Sequence, residues 1–193
     1  MVQVARDLLG KILVTEMDGQ RTAGIITETE AYRAPDDRAC HAWNNRRTAR
    51  TEVMFREGGR AYVYLCYGIH HLFNVVTGPE NMAHAVLVRA IEPVDGLELM
   101  QERRNIRHSK PGIPPVQLTT GPGALSKALG IRTSLSGQQL TLPDTPVWIE
   151  DNGSDIQETD IASGKRIGVD YAGECAEWPW RFWLKHSRYV KRQ

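Results

Sequence analysis

No run of this chain approaches the roughly 20 consecutive apolar residues that cross a bilayer, and its first residues lack the charged-then-apolar pattern of a secretory leader. Both absences point to a soluble protein of the cell interior, cytoplasmic in a prokaryote and nuclear in a eukaryote. Cysteine is scarce: Cys40, Cys66 and Cys175 stand far apart and form no C-x-x-C pair. That argues against a disulfide framework and a structural zinc site, and fits a reducing compartment. Charge of one sign is lacking too. The 24 Lys and Arg residues face 23 Asp and Glu residues, a net +1, without the strong basicity that usually marks a nucleic-acid partner. Repeats, low-complexity tracts and Pro/Gly/Ser-rich linkers are missing, which leaves 193 residues, 41% of them apolar, for a single domain spanning 1–193 with one core.

The charge that is present is clustered. Arg46, Arg47 and Arg50 form one basic group, Arg103, Arg104, Arg107 and Lys110 a second, and Lys185, Arg188, Lys191 and Arg192 a third. Each alone reads as a solvated face; together they would track a phosphate backbone if folding joined them.

Periodicity gives mixed elements. Val4, Ala5, Leu8 and Leu9 have helical spacing and stop at Gly10. Residues 11–17 and 22–32 read as strands around the Asp18-Gly19 turn. The polar, Arg-rich stretch from 33 to about 56 is too long for an ordinary connection, which marks it as a functional loop. Residues 61–67 and 72–76 read as a hairpin with Gly68 near its tip, and 84–94 as a strand that is apolar except for Arg89 and its ends. Asp95 is placed to cap a helix over 97–103. Residues 104–119 read as a loop, and Gly121-Pro122 opens a helix that Gly130 closes. Further strands are expected at 146–150, 166–171 and 181–184. The sum is an α+β domain on a largely antiparallel sheet.

Glu28-Thr29-Glu30-Ala31-Tyr32 carries the most chemistry. On a strand, residues 28, 30 and 32 share a face with neighbouring Cβ atoms roughly 6 to 7 Å apart, which puts an acid and a stacking platform in one site. The plain alternative is an edge strand whose Glu residues face water. Tyr67 is out of phase with Tyr62 and Tyr64 and adjoins Gly68, so it is either a stray exposed ring or a wedge. Asn74, between Phe73 and Val75, must find partners for two donors and an acceptor, as a core amide or as part of a pocket. Three functions use these residues. A sugar hydrolase would employ Glu28 and Glu30 as a carboxylate pair. A non-catalytic nucleic-acid binding module would use the hairpin and the basic clusters, although a bare carboxylate such as Glu30 repels phosphate. A third use needs a single working carboxylate, Glu30, with Glu28→Gln doing much less than Glu30→Gln.

Taken in order, E-T-E-A-Y, His41, Y-V-Y-L-C-Y-G with Asn74 beyond it, L-V-R-A-I-E-P around Arg89, T-G-P-G at 120–123, R-I-G-V at 166–169 and P-W-R-F at 179–182 resemble the alkyladenine (3-methyladenine) DNA glycosylase family over nearly the whole chain. The resemblance implies a monofunctional base-excision repair enzyme. Such an enzyme flips alkylated or deaminated purines (3-methyladenine, 7-methylguanine, hypoxanthine, ethenoadenine) out of double-stranded DNA and hydrolyses the N-glycosidic bond without a lyase step. It implies a monomer with a curved antiparallel sheet, a protruding β-hairpin and a fold like the formyltransferase C-terminal domain, with no metal and no organic cofactor. By the same resemblance Glu30 is the general base, with Arg89 beside it near the target's phosphate. Tyr32, His41 and Tyr64 enclose the flipped base, Asn74 crowds the 2-amino group of guanine, and Tyr67 fills the vacated stack. Arg46, Arg47, Arg50, Gly121, Gly123 and Lys127 are candidates for DNA-backbone contact; Ala124 stands where many members carry Lys.

Overall fold

The computed structural model describes residues 1–106, 114–142 and 144–191. Arg107, Lys110 and Arg192 of the basic clusters lie outside the described residues. One long strand organises the rest. The first helix, α1 (Val2–Asp7), leads through Gly10 to β1 (Ile12–Met17) and then β2 (Gln20–Arg33), 14 residues whose middle is almost wholly buried. After the long loop come β3 (Ala61–Cys66), β4 (His70–Val76) and β5 (His84–Asp95), then α2 (Leu97–Arg104), α3 (Pro122–Ala128), β6 (Val147–Glu150), β7 (Ile161–Gly164) and β8 (Arg181–Leu184). Every strand pairing is antiparallel, in the order β3-β4-β5-β2-β1-β6. One edge of β2 pairs with β5. The other takes β1 along Gln20–Ile25 and then β8 along Glu28–Glu30, and β7 pairs with β8. The sheet is therefore open and branched, and the branch falls at the acidic pair. Register shifts on either side of Glu28 mark bulges, the device that re-aims side chains where a strand passes a site.

Strand alternation sorts the apolar residues onto two faces. Ala61, Val63, Val75, Val86 and Val88 join the main core with Leu125 and Ala128 of α3 and Met100 of α2. Tyr62, Val76 and Ala85 turn to the opposite face and pack with Cys40, Ala42, Met54 and Phe55 of the long loop. That loop is thus anchored by its own small core and by short 3-10 turns at Trp43–Asn45 and Glu52–Phe55.

Two expectations fail. Asp95 does not cap α2. The cap position is Gly96 at φ 69°, where a Cβ would lie 2.4 Å from the Arg21 carbonyl, and Asp95 ends β5 with its carboxylate on Arg21. Residues 166–171 are not a strand either. The strand of that region is β7, which begins five residues earlier. After it Arg166 turns inward to Asp37, Ile167 donates its N–H to a side chain instead of a neighbouring strand, and the chain enters a 3-10 segment, Asp170–Glu177. Among the described residues, no helix is long and apolar enough to cross a membrane.

Candidate active site

The bulged stretch of β2 delivers Glu28, Glu30 and Tyr32 to one place. Glu30 lies beneath a cavity of about 550 Å³, within the range of roughly 300 to 1,000 Å³ typical of small-ligand pockets. Its Oε1 accepts the Ile167 N–H at 2.7 Å, and its Oε2 accepts the Tyr32 hydroxyl at 2.7 Å and lies 3.1 Å from Arg89 Nη1. A carboxylate offers about four acceptor positions, so one, on Oε1, is unfilled. Glu30 is 0% exposed although it lines the cavity floor. The Tyr32 hydroxyl stays protonated: burial first, and then the Glu30 charge, push it well above the ordinary tyrosine range.

The aromatic wall comes from the long loop and the β3 strand. His41 and Tyr64 meet edge to face with ring centroids 4.5 Å apart, and Tyr62 closes the group behind them. Arg50 Nη2 donates to His41 Nε2 at 3.0 Å, so that nitrogen carries the lone pair and Nδ1 carries the hydrogen, 2.9 Å from the Tyr62 oxygen. Burial, and secondarily the Arg50 charge, pull His41 down to about 4, which leaves it neutral across the physiological range. Burial likewise raises the Tyr64 hydroxyl far above its usual value.

Asn74 lines the same cavity. Its amide donates to the Tyr62 and Leu72 carbonyls at 3.1 and 3.3 Å, which holds the side chain rigid. Tyr67 stands at the cavity mouth. It is 92% exposed, with Ile69 also exposed beside it. Its direction comes from the turn, not from strand phase: Tyr67 (φ 51°) and Gly68 (φ 72°) are both left-handed, and Ile69 N–H closes the turn onto Cys66 at 3.1 Å. A bulky residue at positive φ is strained, and such strain concentrates at functional sites.

Gly121 and Gly123 line the cavity from the opposite side. A Cβ on Gly123 would meet the His70 ring at 2.9 Å, so only glycine lets the start of α3 approach β4. Of the other backbone candidates, Arg50 lines the cavity, and Arg46, Arg47 and Lys127 lie outside its lining. Arg46 is exposed, Arg47 is paired bidentately with Glu52 at 2.8 Å, and Arg50 sits over the Tyr64 ring at 4.9 Å. Lys127 faces a neighbouring groove shared with Arg103, Arg104 and Arg132. There Arg103 and Arg104 hold backbone carbonyls of residues 117, 118 and 128, which makes that cluster largely structural.

Three supports escape a reading of residue types and spacing. The Ile167 N–H is a backbone group, invisible in the side-chain pattern. Asp37 and Arg166, both fully buried, pair bidentately at 2.5 and 2.9 Å and fix the segment that carries Ile167. Tyr62 accepts the Nδ1 hydrogen of the His41 tautomer that Arg50 sets. Glu28 is also fully buried, with Arg89 Nε at 2.9 Å and Arg181 Nε at 2.6 Å on one oxygen and the Lys191 N–H at 3.0 Å on the other. Among the described residues, no group of three or more His, Cys, Asp or Glu side chains is placed to hold a metal ion.

A family model described as methylpurine-DNA glycosylase matches residues 1–188. A protein of Chlamydia pneumoniae is 48% identical over 184 residues, which cover 95% of this chain and 89% of that one. Proteins of Bacillus licheniformis and Bacillus subtilis are each 47% identical over 191 residues, 99% of this chain and 91% of theirs. All three carry the provisional name 3-methyladenine DNA glycosylase. With a family match over nearly the entire length and relatives so similar end to end, the chain belongs to the methylpurine-DNA glycosylase family and is a DNA glycosylase of base-excision repair.

Proposed function

We propose that this glycosylase flips alkylated or deaminated purines into the 550 Å³ cavity and that Glu30 activates the water that releases them. The observation that carries the reading is a buried carboxylate with one open acceptor position, directly beneath a cavity walled by Tyr32, His41 and Tyr64. Water bonds to C1′ and gives its proton to Glu30, while the electron pair of the C1′–N bond leaves with the base. A purine alkylated at N3 or N7 departs as a neutral molecule and needs no acid. Hypoxanthine leaves well only when protonated. Here His41 is neutral and the tyrosine hydroxyls are weaker acids than usual, so a proton for that base must come from solvent.

Glu28 cannot serve as the second carboxylate of a sugar hydrolase, because two guanidinium groups and a backbone N–H already occupy it. Asn74, held by both amide hydrogens, does not yield to the 2-amino group of guanine and rejects it by bulk. Lys191, whose residue lines the cavity, is exposed and lacks the burial that activates a Schiff-base lysine; the expected product is an intact abasic strand.

The reading is tested by single-turnover cleavage, after alkali, of duplexes carrying each lesion. Release of 3-methyladenine and 7-methylguanine should exceed that of hypoxanthine, and hypoxanthine release should rise as pH falls toward 5. Failure to release any of the four would sink it.

Tyr67 supplies a separate prediction. If its ring fills the vacated stack, Tyr67→Ala lowers the flipping equilibrium by roughly 1 to 3 kcal/mol, the worth of one base–aromatic stack. Folding should hardly change, because an exposed tip adds little to the core. Stopped-flow fluorescence of an ethenoadenine duplex reports flipping directly, and equal amplitudes for both proteins would leave Tyr67 an ordinary surface ring.

A further inference from the structure

We infer that Glu28 is a positioning residue: with Arg181 and the Lys191 peptide it holds the Arg89 guanidinium at the angle that leaves Glu30 open to water. This rests on the role proposed for Glu30. Four buried side chains form the cluster, Glu28 and Glu30 against Arg89 and Arg181, so its charges balance. Each charge needs that balance, since an unpaired buried ion is strongly unfavourable.

The wiring is directional. Arg181 Nη2 donates to the Lys191 carbonyl at 2.6 Å, and the Lys191 N–H donates to Glu28 Oε2 at 3.0 Å, so the backbone of residue 191 is held at both its N–H and its carbonyl. Glu28 Oε1 is thereby fixed where Arg89 Nε meets it at 2.9 Å. Arg89 comes from β5, and with Nε held it presents Nη1 alone to Glu30 Oε2 at 3.1 Å. A guanidinium fork otherwise prefers two parallel bonds to one carboxylate. Released from Glu28, Arg89 would engage both oxygens of Glu30 and fill the position on Oε1 that the water needs. Glu28 therefore acts on the reaction through Arg89, without touching the substrate.

The test is a double-mutant cycle read by single-turnover base release, with lesion-DNA affinity and thermal unfolding measured beside it. Glu28→Gln should slow release tenfold or more while affinity stays within about threefold of wild type. In an Arg89→Gln background the same change should add almost nothing, because the group through which it acts is gone. Multiplying effects in the cycle would overturn the inference and make Glu28 a support of the fold alone. If Glu28→Gln does not fold, Lys191→Pro removes only the N–H donor and the side chain, and Lys191→Ala serves as the side-chain control. The Pro variant should be the slower by severalfold, and equal rates would overturn the inference. The two proposals separate cleanly: an active Glu30→Gln sinks the function assigned to Glu30, whereas a multiplicative cycle with inactive Glu30→Gln sinks only the role of Glu28.

Discussion

Glu30→Gln should cut single-turnover base release by about two to four orders of magnitude, the usual contribution of a general base, while lesion-DNA binding stays nearly intact. The amide keeps the shape of the side chain, and its oxygen still accepts the Ile167 N–H. What it loses is the ability to take a proton from water. The NH₂ group then faces the Tyr32 oxygen, which can turn and accept, and Arg89, which cannot; Arg89 relaxes onto Glu28. The change also leaves Arg89 and Arg181 facing Glu28 alone in a buried cluster, so thermal unfolding should shift downward, and the rate is read well below that transition, on folded protein. Glu30→Asp separates charge from placement. It restores the carboxylate but withdraws it by one methylene, and a displacement of about 1 Å can cost on the order of 10²-fold, so its rate should fall between wild type and Gln. A wild-type rate in Glu30→Gln would remove the carboxylate from the mechanism altogether.

The reach of the sequence follows from which forces are local. Alternation along 22–32 put Glu28, Glu30 and Tyr32 on one face, and the Tyr32 hydroxyl does rest on Glu30. The Asp18-Gly19 and Tyr67-Gly68 turns were legible because both sit where the backbone must go left-handed. Asp95 misled because a good cap residue stands one place too early, where the sheet claims it for Arg21. Residues 166–171 misled for a tertiary reason. Arg166-Ile167-Gly168-Val169 has strand-like composition, but its hydrogen bonds go to Asp37, Ala31 and Glu30, partners some 130 residues away. The ion pairs of Glu28 were not legible because its partners Arg89 and Arg181 are 61 and 153 residues distant, a pairing that the branch of the sheet creates. Short-range pattern therefore brought the acid and the ring together, and long-range ion pairs determine how they are held.

The Arg166–Asp37 pair should prove the most costly of these to break. Both side chains are 0% exposed. The guanidinium also donates to the Ala31 and Cys175 carbonyls at 2.9 Å each, and it lies 4.7 Å from the Tyr32 ring centre. Removing one partner of a buried pair strands the other's charge, typically at a cost of about 3 to 5 kcal/mol. Arg166→Met should therefore lower the urea unfolding free energy by that amount, because Asp37 keeps only the Ala39 N–H at 3.0 Å. Adding Asp37→Asn removes the stranded charge while retaining an acceptor for Ala39, so part of the stability should return. Base release should not return with it. Without the guanidinium, nothing anchors residue 166 beneath Tyr32, and the Ile167 N–H loses its aim at Glu30 Oε1. Stability rescued without activity is the outcome expected of a pair that orients the site. Recovery of both together would make it a plain structural pair, and a loss under about 1 kcal/mol for Arg166→Met would show that it behaves like an exposed ion pair.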